Sequence, residues 1–417
     1  MMGMTRVPRV TQGEHREHSP GRAVGRRRFL AGAAGFAAAG LLTRCATLPR
    51  TAPRGQRIVL VRFGGGVRYQ DLFGDHKDCL APYLRHLSAS GTLYTGLRNS
   101  HLTRHDTATQ YLLTARYGSR LTSNAEGSRN LEELGQSPTI FERYRKSHGR
   151  PVTKVLAAGV PDHSKAESHG EAFRAATFAS ENTATSPPIS GDASLGHSAH
   201  VAMGNERLLR VLGSIPPGDT PRAPEARRRH LLAAVRADLQ EVPLDVPELG
   251  SSVAAALTGR LMAERPFIAA DEADDWLMAL TFEALPRLRP DLVMIGFSTP
   301  DLAHRGAWRS YQSAVRHIDT QLYRLSRFLS ENPYYRDRTT LMVTTDCGRG
   351  AVHFDEHLEP LDEPSHRQSF LLATGVGQRP LVITEQREQV DVPASIAAML
   401  EFDLEQAEGI PLLEAVS

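Results

Sequence analysis

The residues of this chain that could do chemistry lie at the ends of apolar segments typical of buried strands. Asp346 follows the β-branched run Thr340–Val343, Asp301 and His304 follow a second apolar run, and His366 lies just before a third. Because α/β folds present their functional groups at the carboxyl edge of the sheet, we expect these oxygen and nitrogen donors to lie there. Such a donor set is typical of a site for one or two divalent transition metal ions, zinc being the first candidate.

The elements that must position these residues alternate between strands and helices. The predicted strands are 57–63, 93–97, 152–157, 291–297, 340–343 and 381–384, and the predicted helices are 69–89, 107–117, 140–148, most of 203–285, 308–331 and 392–400. Asp106 is the expected N-cap of the helix at residue 107. This alternation, with polar residues at the strand ends, predicts an α/β fold, a three-layer α/β/α sandwich with a mostly parallel central sheet.

The amino-terminal segment differs from the rest of the chain in charge. The formal net charge is +2, but residues 1–45 carry eight arginines and two glutamates, so the remainder is slightly acidic, at about −4. A body without a basic stripe argues against nucleic acid as the main partner. Arg26, Arg27 and Arg28 precede an Ala/Gly-rich apolar run, which resembles a twin-arginine signal peptide over residues 1–45 and predicts export to the periplasm or cell envelope. The alternative is a basic tail before a short core helix.

The three cysteines, Cys45, Cys79 and Cys347, have no close spacing, so they do not indicate a disulfide framework. Cys45 lies just after the apolar run, where a lipid-attachment cysteine is expected, although Arg44 occupies a position that normally holds a small residue. A lipid anchor at Cys45 is the contact with a membrane that the sequence predicts.

From about Arg57 to its carboxyl end, the chain resembles the alkaline phosphatase superfamily, which includes phosphatases, phosphodiesterases, sulfatases and phosphomutases. The segments that carry the resemblance are GGVRYQDLFG, NSHLTRHDTATQYLLTAR, TPDLAHRGAW, TTDCGRG and QVDVPASIAAMLEF. The resemblance implies one domain over residues 57–417. The Pro/Arg/Thr-rich residues 46–56 predict a linker before it, and the scarcity of large apolar residues predicts a long insertion at about 160–200, either a surface excursion or a partly disordered segment. The resemblance also implies a metal-dependent hydrolase of small phosphate or sulfate esters, in which two cations clamp the attacking and leaving oxygens.

The resemblance also implies the ligands of both metal ions. The first metal site is complete, with three ligands: Asp301, His304 and His366. In the second site Asp346 is kept, and Cys347 stands where the family has a histidine and could bind zinc as a thiolate. Gly65 aligns with the aspartate that completes the second site in the family, and glycine has no side chain that could bind a metal.

The nucleophile of the family lies at the start of a helix, and its position falls on His105 here. A one-residue insertion would bring the hydroxyl of Thr103 or of Thr107 into that place instead. If no hydroxyl is there, His105 is a phospho-acceptor or a metal ligand. The sequence therefore leaves open whether the chain is an enzyme. One hypothesis is an exported metal-dependent hydrolase, and the other is a catalytically degenerate relative that acts as a binding or envelope protein.

Overall fold

The structure of the chain is a computed structural model that describes residues 55–74, 79–118, 137–150, 154–159, 273–301, 308–350, 364–412 and 414, with single positions between 226 and 240. The predicted signal segment with Cys45, the insertion at about 160–200 and His304 lie outside the described residues, so the predictions about them stay predictions. Within the described residues, no helix is long and apolar enough to cross a membrane.

The described strands form one large sheet and one small one. The strands are β1 (Arg57–Phe63), β2 (Thr92–Tyr94), β3 (Leu97–Arg98), β4 (Val155–Gly159), β5 (Leu292–Phe297), β6 (Thr339–Thr345), β7 (Leu371–Gly375), β8 (Leu381–Ile383) and β9 (Arg387–Glu388). The large sheet has the order β4-β5-β1-β6-β7-β2-β8, and β3 pairs with β9 separately. Only β7 runs antiparallel to its neighbours in the large sheet, as described, so the prediction of a mostly parallel sheet is confirmed.

Helices cover both faces of the large sheet. They are α1 (Tyr69–Phe73), α2 (Pro82–Ser88), α3 (His105–Thr114), α4 (Ile140–His148), α5 (Ala273–Leu288), α6 (Trp308–Glu331), α7 (Pro364–Arg367) and α8 (Asp391–Met399). Val59 and Val61 of β1 pack into one core with α2, α5 and α6, whereas Ile58 and Leu60 pack into a second core with α3, α4 and α8. Because successive side chains of a strand point to opposite faces, the sheet lies between two helical layers. The predicted three-layer α/β/α sandwich is confirmed.

The single helix predicted over residues 69–89 is wrong, because α1 and α2 are separate helices. Gly74 ends α1, and its N–H donates to the carbonyl of Gln70 (2.9 Å). Pro82 begins α2 at a position where its missing N–H costs nothing. The buried carboxylate of Asp319 in α6 accepts two backbone N–H groups in the first turn of α2, at 2.9 and 2.8 Å. Pro82 and a contact between distant helices therefore together fix where α2 starts.

The start of α3 also differs from the prediction. The helix begins at His105, two residues before the predicted start, because Arg104 is the last residue in an extended conformation (φ −67°, ψ 143°). Asp106 therefore lies inside the helix and is not its N-cap. As a result, an imidazole stands in the first turn of α3, at the carboxyl edge of the sheet.

Candidate functional site

Asp346 is the centre of the candidate site. It follows β6 directly, its exposed fraction is 0%, and its own N–H donates to the carbonyl of Phe63 at the end of β1 (3.1 Å). Its carboxylate accepts backbone N–H groups from Gly65 and Gly66 (3.2 Å each) and from Cys347 (2.7 Å). The ends of two adjacent parallel strands therefore form a pocket of N–H donors around one buried charge.

His105 lies between two carboxylates. Its Nδ1 is 2.8 Å from Oδ2 of Asp346, and its Nε2 is 3.1 Å from Oδ1 of Asp301. The resemblance assigns Asp346 and Asp301 to two different metal ions, so the imidazole joins the two halves of the implied two-metal site. The structure thus brings together three of the residues that the sequence singled out.

The charges around His105 favour its protonated form. Burial alone would lower the pKa of His105, but the charge of Asp346 and the hydrogen bonding of the ring toward the carboxylates of Asp301 and Asp346 raise it well above its usual value. Burial would in turn raise the pKa of Asp346, but the charge and hydrogen bond of His105, followed by the charge of Arg62, hold it well below its usual range. The pair is therefore an imidazolium and a carboxylate, buried together and compensating each other.

Two buried arginines belong to the site and were not predicted. Arg62, in β1, lies with Nη1 3.4 Å from Oδ2 of Asp346. Arg349 donates from Nε to the carbonyl of Gly66 (2.9 Å) and from Nη2 to that of Gly65, which fixes the loop after β1. A signal for Arg62 exists in the sequence, because an arginine in the interior of the apolar strand RIVLVRF requires a buried partner for its charge.

Gly65 occupies a position with no room for a side chain. A Cβ built on it would lie 2.3 Å from the backbone nitrogen of Asp301, and its φ is +82°. An acidic ligand at this place would collide with the backbone of the Asp301 loop. The residues present therefore do not fit the second metal site as the resemblance implies it.

A different group of possible metal ligands lies at the site. One ligand atom each from His105, Asp346 and Cys347 lie within 4.8 Å of one another, so these three residues could hold a metal ion. Sγ of Cys347 is 3.7 Å from Nδ1 of His105. Burial, together with the charge of Asp346, raises the pKa of Cys347 to about 11, so its sulfur carries a proton at neutral pH. A metal ion bound here would have to displace the protons of both the thiol and the imidazole.

The other predicted ligands lie nearby without completing a described metal site. His366 is buried in α7, and its backbone carbonyl accepts the N–H of Gly348 (2.9 Å), which places it next to the loop that carries Asp346. Among the described residues, neither Asp301 nor His366 is part of a group of three donors close enough to hold an ion. The first metal site therefore stays a prediction.

The two candidate hydroxyls are both buried. Thr103 lies two residues before α3, with an exposed fraction of 1%. The hydroxyl of Thr107 donates to the backbone carbonyl of Arg104 (3.1 Å), so it serves the first turn of the helix. His105, rather than either threonine, occupies the first position of α3, where the resemblance places the nucleophile.

Similarity to known proteins was found among solved structures and not among protein sequences. No protein-family model matches the chain, and no curated protein sequence matches it. A variant of the alkaline phosphatase PafA has a TM-score of 0.50 at 10% identity, over 88% of this chain and 100% of that one. This similarity shows that the chain has the fold of the alkaline phosphatase superfamily, and it confirms the resemblance at the level of the fold.

Two further structures give lower TM-scores. The phosphonate monoester hydrolase SpPMH from Silicibacter pomeroyi has a TM-score of 0.47 at 12% identity, over 86% of this chain and 76% of that one. The lipoteichoic acid synthase LtaP from Listeria monocytogenes has a TM-score of 0.48 at 11% identity, over 87% of this chain and 76% of that one.

We expect Gly65→Ala to destabilise the protein much more than Gly377→Ala. Both glycines have positive φ, +82° and +76°, but a Cβ at Gly377 meets no atom within 4 Å. The control should therefore lose about 1 kcal/mol of unfolding free energy, the cost of the left-handed conformation alone. Gly65→Ala should lose at least ~2 kcal/mol more, because the backbone of the Asp301 loop must move. Urea unfolding measures both, and equal losses would contradict the close approach.

His105→Gln should destabilise the protein by about 3–5 kcal/mol, because it leaves the buried Asp346 with an incomplete set of partners. The loss should depend on pH. A histidine with a raised folded-state pKa stabilises the protein fully below its unfolded pKa of about 6.5, and this contribution disappears as the pH rises through the folded-state value. The difference between wild type and variant should therefore be largest in mild acid and shrink in alkali.

The measurement is the free energy of unfolding of both proteins across this pH range. The exposed His86 offers a matched control, because a substitution at this surface position, His86→Gln, should change the free energy of unfolding by no more than about 0.5 kcal/mol. A stability difference for His105→Gln that grows as the pH rises would show that the ring is not held as an imidazolium.

Proposed function

We propose that this chain, which has the alkaline phosphatase fold, binds a phosphate or sulfate ester and does not hydrolyse it by a two-metal route. The observation that carries this proposal is the position of the His105 ring, 2.8 Å from Asp346 and 3.1 Å from Asp301. A protonated ring between these carboxylates supplies the positive charge that the implied metal ions would otherwise supply.

The chemistry of the ring supports the absence of hydrolysis. A nucleophile needs a lone pair, and an imidazolium that uses both N–H groups toward carboxylates has none. The neighbouring hydroxyl of Thr107 is held by the backbone carbonyl of Arg104. Of the three candidate nucleophiles, His105 and Thr107 are therefore not prepared to attack a phosphorus or sulfur atom.

Arginines near the carboxyl edge of the sheet support recognition of an anionic ester. Arg68 follows the loop after β1, with Nε 3.8 Å from Oδ2 of Asp71, and Arg367 ends α7 and donates to the carbonyl of Ser100 (2.9 Å). Arg104 immediately precedes α3, and all three arginines are half-buried. Guanidinium groups match the oxygens of phosphate and sulfate with paired hydrogen bonds. These arginines flank the carboxyl edge of the sheet, where ligands of open α/β sheets bind.

A second candidate function is the metal-dependent hydrolysis of such esters. The observation that favours it is the cluster of His105, Asp346 and Cys347, whose imidazole, carboxylate and thiolate donors are those of zinc sites. A zinc ion held by these three residues would supply Lewis-acid chemistry at the carboxyl edge of the sheet. Binding of this ion would require His105 and Cys347 to lose their protons.

Metal content and turnover distinguish the two candidates. For the binding function we expect the full chain, after exposure to zinc and removal of the excess, to retain less than one equivalent of metal. It should bind 4-nitrophenyl phosphate or 4-nitrophenyl sulfate in calorimetry and release no nitrophenol. The physical reason is that the charge of Asp346 is already compensated by His105 and Arg62.

Cys347→Ser and Cys79→Ser form a matched pair for this test, because both remove a free thiol and only Cys347 belongs to the donor cluster. The binding function predicts that neither variant changes metal content or turnover. Stoichiometric zinc and turnover in the wild type, both reduced about tenfold or more by Cys347→Ser alone, would establish the hydrolase instead.

We further propose that the protein acts outside the cytoplasm, in the periplasm or attached to the cell envelope. The support is the sequence of residues 1–45, with its paired arginines, its apolar run and Cys45. Replacing Arg26 and Arg27 by lysine should keep the full chain in the cytoplasmic fraction of the producing cells. If the variant were found in the same cell fraction as the wild type, this proposal would be wrong.

A further inference from the structure

A cluster of cations lies at the opposite end of the sheet from the candidate site. Its members are Arg57 at the start of β1, Arg150 after α4, Lys154 just before β4 and Arg289 after α5. They surround Asp291, which immediately precedes β5. We call these five residues the amino-edge cluster. Since β1 has seven residues, this cluster and Asp346 are separated by about 20 Å along the strands.

The single carboxylate of the cluster is already engaged. Oδ1 of Asp291 accepts the hydroxyl of Tyr334 (2.6 Å) and lies 3.6 Å from Nε of Arg57, and Oδ2 accepts the hydroxyl of Tyr144 (3.1 Å). Within the described part of the chain, Arg57 has a carboxylate within ion-pair distance, and the other three cations of the cluster do not. Asp291 can therefore offset one of the four positive charges.

The cations gather around one aromatic ring. The guanidinium of Arg57 lies 3.6 Å from the centre of the Tyr334 ring, Nζ of Lys154 lies 5.2 Å from it, and the guanidinium of Arg289 lies 6.0 Å from it. Lys154 donates to the carbonyl of Arg289 (3.1 Å) and to the Tyr334 hydroxyl (3.3 Å). These neutral oxygens hold the ammonium group in place without neutralising it.

Burial lowers the pKa of Lys154, the charge of Asp291 raises it, and the charges of Arg150, Arg57 and Arg289 lower it. Four cations and one carboxylate therefore act at the same place. An anion placed here would gain from all the cations at once.

We propose that the amino-edge cluster is a binding site for a phosphate group, either free in solution or on the headgroup of an anionic lipid. The cluster is graded in depth, with Arg57 buried beneath the Tyr334 ring, Lys154 half-buried, and Arg150 and Arg289 exposed at the rim. In such an arrangement the buried Arg57 and the three more accessible cations can contact several oxygens of one ligand. The site is independent of the ester site at the carboxyl edge and of its chemistry.

The test compares two double variants, each of which removes two exposed or half-buried cations. Lys154→Gln with Arg289→Gln removes two charges of the cluster, and Arg316→Gln with Arg379→Gln removes two exposed charges elsewhere. Binding of inorganic phosphate to the full chain is measured by calorimetry. Sedimentation with vesicles of phosphatidylglycerol, and of phosphatidylcholine as the neutral reference, measures binding to lipid.

We expect the Lys154/Arg289 variant to lose about tenfold or more in one of these affinities, while the control variant stays within twofold or so of the wild type. Loss of phosphate binding identifies a free phosphate as the ligand, and loss of phosphatidylglycerol binding alone identifies a lipid headgroup. Equal behaviour of the two variants toward both probes overturns the proposal. Arg150→Gln, at an exposed position, repeats the test if the double variant has an altered thermal unfolding curve.

Discussion

The charge of Asp346 is the constraint on which the rest of the carboxyl edge depends. A carboxylate taken fully out of water costs several kcal/mol unless its partners replace the lost hydration. Here the partners are three backbone N–H groups, the imidazole of His105 and the guanidinium of Arg62. They come from β1 and its loop, from α3 and from β6, so one buried charge fixes the relative positions of three segments that are distant in sequence.

The buried charge of Asp346 explains why glycines occupy the loops around it. Gly65 and Gly66 both have positive φ (+82° and +67°), a conformation in which successive N–H groups can point at one anion. Gly348, after Asp346, packs so closely that a Cβ would lie 1.8 Å from the carbonyl of Ser365. Two peptide groups therefore bind the carboxylate of Asp346 at the place where the resemblance implies a second acidic ligand. The loop after β1 therefore donates to the carboxylate of Asp346 and carries no acidic side chain at this place.

The sequence predicted those parts of the structure that local patterns control. The helix Trp308–Glu331 was predicted with its observed bounds, because its apolar residues repeat with the helical period along all of its length. The position of Asp346 at the end of a buried strand was predicted for a similar reason. The contact between His105 and Asp346 joins residues 241 positions apart, and no local pattern reports such a pairing. The break between α1 and α2 has local residues that mark it, Gly74 and Pro82, whereas the capping of α2 by Asp319, on a different helix, has no local pattern.

A proton and a metal ion are alternative ways to balance the same buried charge. Nδ1 of His105 has one lone pair, which can hold a proton directed at Asp346 or coordinate a metal ion, but not both. The proton costs nothing in rearrangement, because the observed 2.8 Å contact is already a hydrogen bond. A metal ion would also need the thiolate of Cys347, whose pKa is raised to about 11. The interactions that stabilise the site as it stands are therefore the same ones that oppose its use as a metal centre. In this chain, the hydrogen bond to Asp346 and a bound metal ion would therefore compete for one imidazole nitrogen.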